Sequence, residues 1–176
     1  MENKLRIGVL GAGHLGRIHL QQLLLVPEFH VAGFHDPHPE KCAAITKEFG
    51  VTPFSSQAEL IANCDVVDVV TPTTAHHACA VKALEAGRHV FIEKPVTTTL
   101  EEARDLLRLG EACGAKVQVG HVERCNPAFV AVPGALVVVA RVDVVAVVGC
   151  GEGRARAVWV EAEDELGRAL SLGQQR

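Results

Sequence analysis

Residues 5–19 read LRIGVLGAGHLGRIH, and this stretch decides the fold. LRIGVL is a β-rich apolar run that ends in glycines. The chain then continues as HLGRIHLQQLLL, which places Leu15, Ile18, Leu23 and Leu24 at helical spacing. Between the two, Gly11, Gly13 and Gly16 stand in G-x-G-x-x-G order. Glycines are common in turns, so the spacing alone is weak; set after a strand and opening a helix, it acquires physical sense. Gly11 permits the tight turn, Gly13 lets a pyrophosphate approach the backbone, and Gly16 lets the helix pack closely on the strand. The helix N-terminus then faces the anion.

The pattern repeats downstream. HVAGFHD reads as a second strand, and PEKCAAITKEFG as a helix closed by Gly50. A short strand VTPF leads to Ser55 and Ser56, which cap a helix over QAELIANC. DVVDVVTP is a strand, TAHHACAVKALEAG a helix ended by Gly87, and HVFIEKP another strand. TTLEEARDLLRLGEACG is a helix with Thr99 near its cap and acids in its first turn, and KVQVG is a last strand. Six strands alternating with five helices mean right-handed crossovers and a parallel sheet covered on both faces. The fold class is α/β, a Rossmann-type doubly wound parallel sheet.

Composition excludes several functions. Apolar residues make up 48% of the chain, enough for a core, so global disorder is not expected. A net charge of -4 without a Lys/Arg cluster argues against nucleic acid or an anionic membrane as partner. The N-terminal apolar run is cut by glycines and lacks a cleavage site, and GALVVVA meets Arg141 and Asp143 too soon to span a bilayer. The expectation is a soluble, cytoplasmic chain. Its six cysteines contain no C-x-x-C pair and read as reduced, mostly core thiols. HHAC, at residues 76–79, has no second ligand cluster, so no metal is expected. From Val130 onward there is no Lys, His, Ile, Phe, Thr or Asn. That segment could form two strands and a short charged helix. It reads as a separate module, a low-complexity tail or a coding segment out of frame.

The second strand ends at Asp36, 20 positions beyond Gly16. A carboxylate there can accept hydrogen bonds from an adenosine ribose and would repel a 2′-phosphate. NAD is therefore preferred to NADP, although His35 and His38 temper the charge. Strands of such a sheet deliver their C-terminal ends to the ligand crevice. VVTPTTAHH and FIEKPV both end strands, which explains two charges after an apolar run. Pro95 pushes Lys94 towards an extended backbone and stops the strand. A lysine fixed there can exchange a proton with a substrate hydroxyl. Glu93 could pair with it or hold the nicotinamide ribose.

Taken in order, GVLGAGHLGRIH, Asp36, VVTPTTAHH, HVFIEKPV and VGHVERCNPAF resemble the N-terminal half of the Gfo/Idh/MocA oxidoreductases, from residue 4 to about 130. The resemblance implies NAD(P)-dependent oxidation or reduction of a sugar, sugar nucleotide or polyol, with Lys94 touching the reacting hydroxyl. It implies a cofactor lining of Gly11, Gly13, His14, Leu15, Gly16, Asp36, Thr71, Pro72, Thr73, His76, Glu93 and Lys94. GHVERCNPAF is similar to a subgroup acting on UDP-N-acetylglucosamine-type substrates, which puts His121, Arg124 and Asn126 on the substrate side. Members of the family continue with a large α/β domain that supplies a histidine paired with an aspartate, most of the sugar pocket and usually the oligomer interface. In this sequence no histidine follows His121. The expected organisation is a dinucleotide-binding domain over 1–122 and a truncated or atypical segment over 123–176. The expected function is an oxidoreductase of this type, impaired by the missing domain and with a small sugar-type substrate. The competing reading is a non-catalytic NAD-binding domain, as a truncation product or an interaction module. A Rossmann-like methyltransferase would leave Lys94 and Pro95 without a task.

Overall fold

The computed structural model describes residues 4–122, Pro127 and two short strands at 147–148 and 157–158. Five strands form one parallel sheet: β1 (Leu5–Leu10), β2 (Phe29–His35), β3 (Val66–Val69), β4 (His89–Ile92) and β5 (Val117–Val119). Their order across the sheet is β2-β1-β3-β4-β5. The helices between them are α1 (His14–Leu23), α2 (Pro39–Phe49), α3 (Gln57–Ala62), α4 (Thr73–Glu85) and α5 (Leu100–Cys113). Two further strands, β6 (Val147–Val148) and β7 (Ala157–Val158), pair antiparallel. They fall where the sequence suggested two strands; the charged helix expected after them lies outside the described residues.

The expected strand VTPF is not one. It makes a single bridge between Phe34 and Pro53 at the outer edge of β2. Phe34 donates to the Thr52 carbonyl at 3.1 Å and Phe54 donates to the Phe34 carbonyl at 2.7 Å. Pro53 has no N–H to extend the ladder, and the cap of α3 follows at Ser56. Gly33 lets this segment lie close, since a Cβ there would stand 2.5 Å from the Thr52 oxygen. Counted as a rudimentary strand, the segment makes the order 3-2-1-4-5-6, that of a dinucleotide fold whose connections reverse beside the first strand.

The valine-rich strands are buried because helices cover them. Leu10, Val67, Val69, Val90 and Ile92 pack with Leu60, Ala80, Leu84 and Leu106 into a larger cluster. Burying each such aliphatic side chain contributes about 2 kcal/mol. Val9, Leu20, Phe34 and Ile45 form a smaller cluster on the α1 and α2 side. On that side, the alternate residues His89, Phe91 and Gln118 of β4 and β5 are only half-buried. Helix ends follow the expected chemistry. Ser56 accepts from the Glu59 N–H, Thr99 and Glu102 make a capping box, and Gly50 closes α2 at φ +67°.

The expected apolar stripe of α1 needs correction. Leu15 and Leu24 are 48% and 47% exposed. The buried positions are Gly16 and Leu20, with Leu23 packed against the same cluster. A Cβ on Gly16 would collide with the Gly11 carbonyl. The helix therefore presents the glycine to the strand, and this turn sets which leucines face inward.

Candidate functional site

The sheet delivers β1, β2 and β3 to a cleft of about 440 Å³ at their C-terminal ends. Gly11, Gly13, His14, Leu15, Asp36, Thr71 and Pro72 all line it. Lys41, Gln57, His35, Pro37 and His38 join them. Gly11 has φ +109°, and a Cβ on it would stand 2.7 Å from the Val70 carbonyl. Its N–H donates to the His35 carbonyl at 2.9 Å, which ties the glycine turn to the end of β2. Gly13 differs: a Cβ there would meet nothing within 4 Å. It caps α1 without a side-chain hydrogen bond. The first turn of α1 thus offers backbone N–H groups to the cleft over an open approach, which suits a pyrophosphate.

Asp36 is 9% exposed. Its Oδ2 accepts from the Ala12 N–H at 2.8 Å. Its Oδ1 accepts from the His38 N–H at 2.9 Å and lies 2.7 Å from His38 Nδ1. Lys41 Nζ stands 4.0 Å away. Burial acts to raise this carboxyl, but the N–H donors of Ala12 and His38, the His38 ring and Lys41 outweigh it and hold it below the usual aspartate value. An ionised carboxylate therefore stands at the end of β2, lining the cleft.

His76 is 1% exposed and stands behind the cleft rather than in it. Its Nε2 lies 2.8 Å from the Thr71 carbonyl and its Nδ1 2.9 Å from the Pro95 carbonyl. It joins the loop after β3 to the loop after β4, so it shapes the cofactor side without lining it. Glu93 is buried, and its Oε2 accepts from the Lys94 N–H at 2.9 Å. Lys94 itself is exposed at the end of β4, free to project. The other half of the HHAC motif is also engaged: His77 Nε2 lies 2.9 Å from Asp105, and Cys79 is a buried thiol. Among the described residues no group of three His, Cys, Asp or Glu could hold a metal.

One constellation escaped the sequence reading. Asp68, 2% exposed, projects from β3 towards α1. Its Oδ2 lies 2.8 Å from His19 Nδ1, and His19 Nε2 lies 3.3 Å from Glu93 Oε1. The signal was present: Asp68 is a charge inside the apolar run DVVDVV, where a buried strand has no use for one unless it is paired. Its partner His19 lies 49 residues away, so no local pattern pointed to it.

On the substrate side, His121 is half-buried and its N–H donates to the Val119 carbonyl at 2.8 Å. Arg124 and Asn126 lie outside the described residues. The described cysteines Cys42, Cys64, Cys79 and Cys113 are free. Cys64 and Cys79 are core thiols as expected, whereas Cys113 is exposed at the end of α5. No helix of the described residues is long and apolar enough to cross a membrane.

Comparison with known proteins agrees with this geometry. The family model for the Gfo/Idh/MocA oxidoreductases, described as an oxidoreductase family with an NAD-binding Rossmann fold, matches residues 5–121. UDP-N-acetylglucosamine 3-dehydrogenase of Acidithiobacillus ferrooxidans is 39% identical over 125 residues, which cover 71% of this chain and 39% of that protein. Its solved structure matches with a TM-score of 0.68 at 38% identity, over 72% of this chain and 41% of that one. The scyllo-inositol dehydrogenase of Lactobacillus casei, solved with NAD(H) and scyllo-inositol, gives a TM-score of 0.67 at 26% identity, covering 72% and 39%. The biliverdin reductase of a Synechocystis species, solved with biliverdin and NADP+, gives 0.65 at 28% identity, covering 69% and 39%. The chain thus matches about two-fifths of the length of these relatives.

Proposed function

The chain belongs to the Gfo/Idh/MocA oxidoreductase family through its NAD-binding Rossmann fold, and from that premise we propose that it is the dinucleotide-binding part, residues 1–122, of an NAD-dependent oxidoreductase acting on the hydroxyl of a sugar, sugar nucleotide or polyol. The observation that carries the cofactor reading is Asp36: buried, held ionised by Ala12 and His38, and placed at the end of β2 beside the open approach over Gly13. The glycine turn and the first turn of α1 would hold the pyrophosphate, and Asp36 the adenosine ribose. A 2′-phosphate would meet a carboxylate there, which supports NAD over NADP; His38 and Lys41 beside it reduce the margin. When bound, the nicotinamide supplies hydride exchange. The chain's own part is to bind and orient it and, at Lys94 Nζ, to exchange the proton of the substrate hydroxyl. Glu93 fixes the backbone from which Lys94 projects.

The substrate class rests on the relatives, which act on a UDP-amino sugar and on inositol. His121, Arg124 and Asn126 are the proposed substrate-side residues. A second reading is a non-catalytic dinucleotide-binding chain; residues 122–176 contain no histidine. Titration calorimetry with NAD+ and NADP+ tests the cofactor; NADP+ binding equal to or tighter than NAD+ removes the preference. Assays of NADH absorbance over UDP-sugars, free sugars and inositols separate the two functions. The 176-residue chain is expected to turn over well below the usual enzyme range of about 1 s⁻¹ or more. Turnover in that range that is lost in Lys94→Ala selects the enzyme, and turnover that survives Lys94→Ala removes the role of Lys94.

A further inference from the structure

His19 sits in the second turn of α1, between two carboxylates on different strands. Nδ1 lies 2.8 Å from Asp68 Oδ2, and Nε2 lies 3.3 Å from Glu93 Oε1. Phe91, which pairs with Asp68 in register, closes another side edge-on with ring centroids 6.0 Å apart. An ionised carboxylate only accepts hydrogen bonds. The Asp68 contact is a hydrogen bond and the Glu93 contact lies within ion-pair distance, so a ring that carries both hydrogens is held by two carboxylates. Asp68 and Glu93 are 2% and 6% exposed, and Asp68 Oδ1 has no partner.

Other charged groups near the cluster are engaged elsewhere or project outward. Arg17 of α1 pairs with Glu48 of α2, and His35 of β2 lies against the Phe54 carbonyl at 3.0 Å. His14, at the start of α1, and Lys94, at the end of β4, are exposed. Among the described residues the ion pairs of Asp68 and Glu93 both run to His19. Burial works against a charged ring, but the hydrogen bond and charge of Asp68, and then those of Glu93, outweigh it and raise His19 above its ordinary 6.5. Burial likewise pushes Asp68 up despite His19. The pair keeps its proton.

The cluster lies at the ends of β3 and β4, across β1 from Asp36. On the dinucleotide reading above, on which this inference rests, Asp36 would take the adenosine end and the nicotinamide end would lie towards β3 and β4, the side of His19, Asp68 and Glu93. The oxidised ring carries a positive charge there and the reduced ring none. We propose that His19, clamped between Asp68 and Glu93, is a proton site coupled to the charge of the bound nicotinamide, releasing its proton when the oxidised dinucleotide binds and keeping it under the reduced one. A cation over an imidazolium disfavours the protonated ring, whereas a cation over two carboxylates and a neutral ring is stabilised. The linkage has one sign. NAD+ prefers the deprotonated cluster, so its affinity rises with pH until the free protein's His19 has titrated, and is level beyond.

The test is calorimetric titration of the 176-residue chain with NAD+, NADH and ADP-ribose between about pH 6 and 9, in buffers of differing ionisation heat. The expected result is NAD+ affinity rising by about fivefold relative to NADH and ADP-ribose, with proton release on NAD+ binding alone. His19→Gln should flatten the NAD+ profile onto that of ADP-ribose. Asp68→Asn, which removes the ring's nearer partner, should shift the rise to lower pH and serves if His19→Gln does not fold. Parallel NAD+ and NADH profiles overturn the proposal, as does a slope that neither variant moves. Those results leave the dinucleotide reading intact; absence of binding by all three ligands removes that reading and this inference with it.

Discussion

Asp36 and Asp68 are both buried carboxylates at the C-terminal edge of one sheet, yet they are shifted in opposite directions. Asp36 is set against fixed donors, the backbone N–H groups of Ala12 and His38, and is lowered. Asp68 is set against a single titratable ring, with one oxygen unpaired, and is raised. Burial pushes both the same way; the kind of partner decides the outcome. A backbone N–H cannot leave, so it fixes a charge. An imidazole can lose its proton, so it leaves the charge open to change. The sheet edge therefore carries one fixed charge, at Asp36, and one titratable pair, at Asp68 and His19.

Substitutions on the side of the fixed charge should have the largest effects. Gly13→Val is expected to weaken NAD binding by on the order of 100-fold, about 2.7 kcal/mol, while the melting temperature holds, because a Cβ there meets no protein atom within 4 Å. Gly16→Ala should do the reverse. Its Cβ collides with the Gly11 carbonyl, and the fold should lose about 3 kcal/mol in denaturant titration. Equal stability in the two variants would break the distinction between a ligand-facing and a packing glycine.

Asp36→Asn comes next. It keeps the shape but removes the charge, so NADP+ should gain on NAD+ by on the order of tenfold in paired titrations. It should also cost about 2 kcal/mol of stability at neutral pH, as for a buried hydrogen bond to a charged group. The sign follows from the lowered Asp36: its contribution is present above the ordinary aspartate value of 3.8 and is lost as pH falls through the folded one. The difference between wild type and variant should therefore vanish in acid.

At the titratable pair the pH dependence runs the other way. His19 is raised, so its contribution is complete below 6.5 and is lost as pH rises through the folded value. Thermal melts of the wild type should decline over that window, and Asp68→Asn should flatten the decline, an effect of about 1 kcal/mol or less. A decline unchanged in Asp68→Asn would place the proton elsewhere. The smallest effect concerns thiols. Burial pushes Cys64 up to about 11, whereas Cys113 is exposed. Alkylation followed by mass spectrometry should modify Cys113 first and Cys64 only on unfolding.

Much of the fold was legible because its signals are local. The glycine turn, the cap of α3 at Ser56, the capping box at Thr99 and the stop of α2 at Gly50 all act within a few residues of the positions that reveal them. VTPF was misread because its β-rich letters say nothing of the missing donor at Pro53 or of a neighbour on one side only. Leu15 and Leu24 were misread because periodicity gives the width of a stripe but not which way the helix turns; the contact of Gly16 with Gly11 settles that.

The sequence by itself determined the alternation of strand and helix, the glycine turn and the acid at the end of β2, since each depends on spacing along the chain. Only the tertiary structure decided that His76 stands behind the cleft, that Asp36 is locked by Ala12, and that His19 joins Asp68 to Glu93. The physical reason is that charge states depend on distances between strands and helices, which the parallel crossovers set and which no linear spacing encodes.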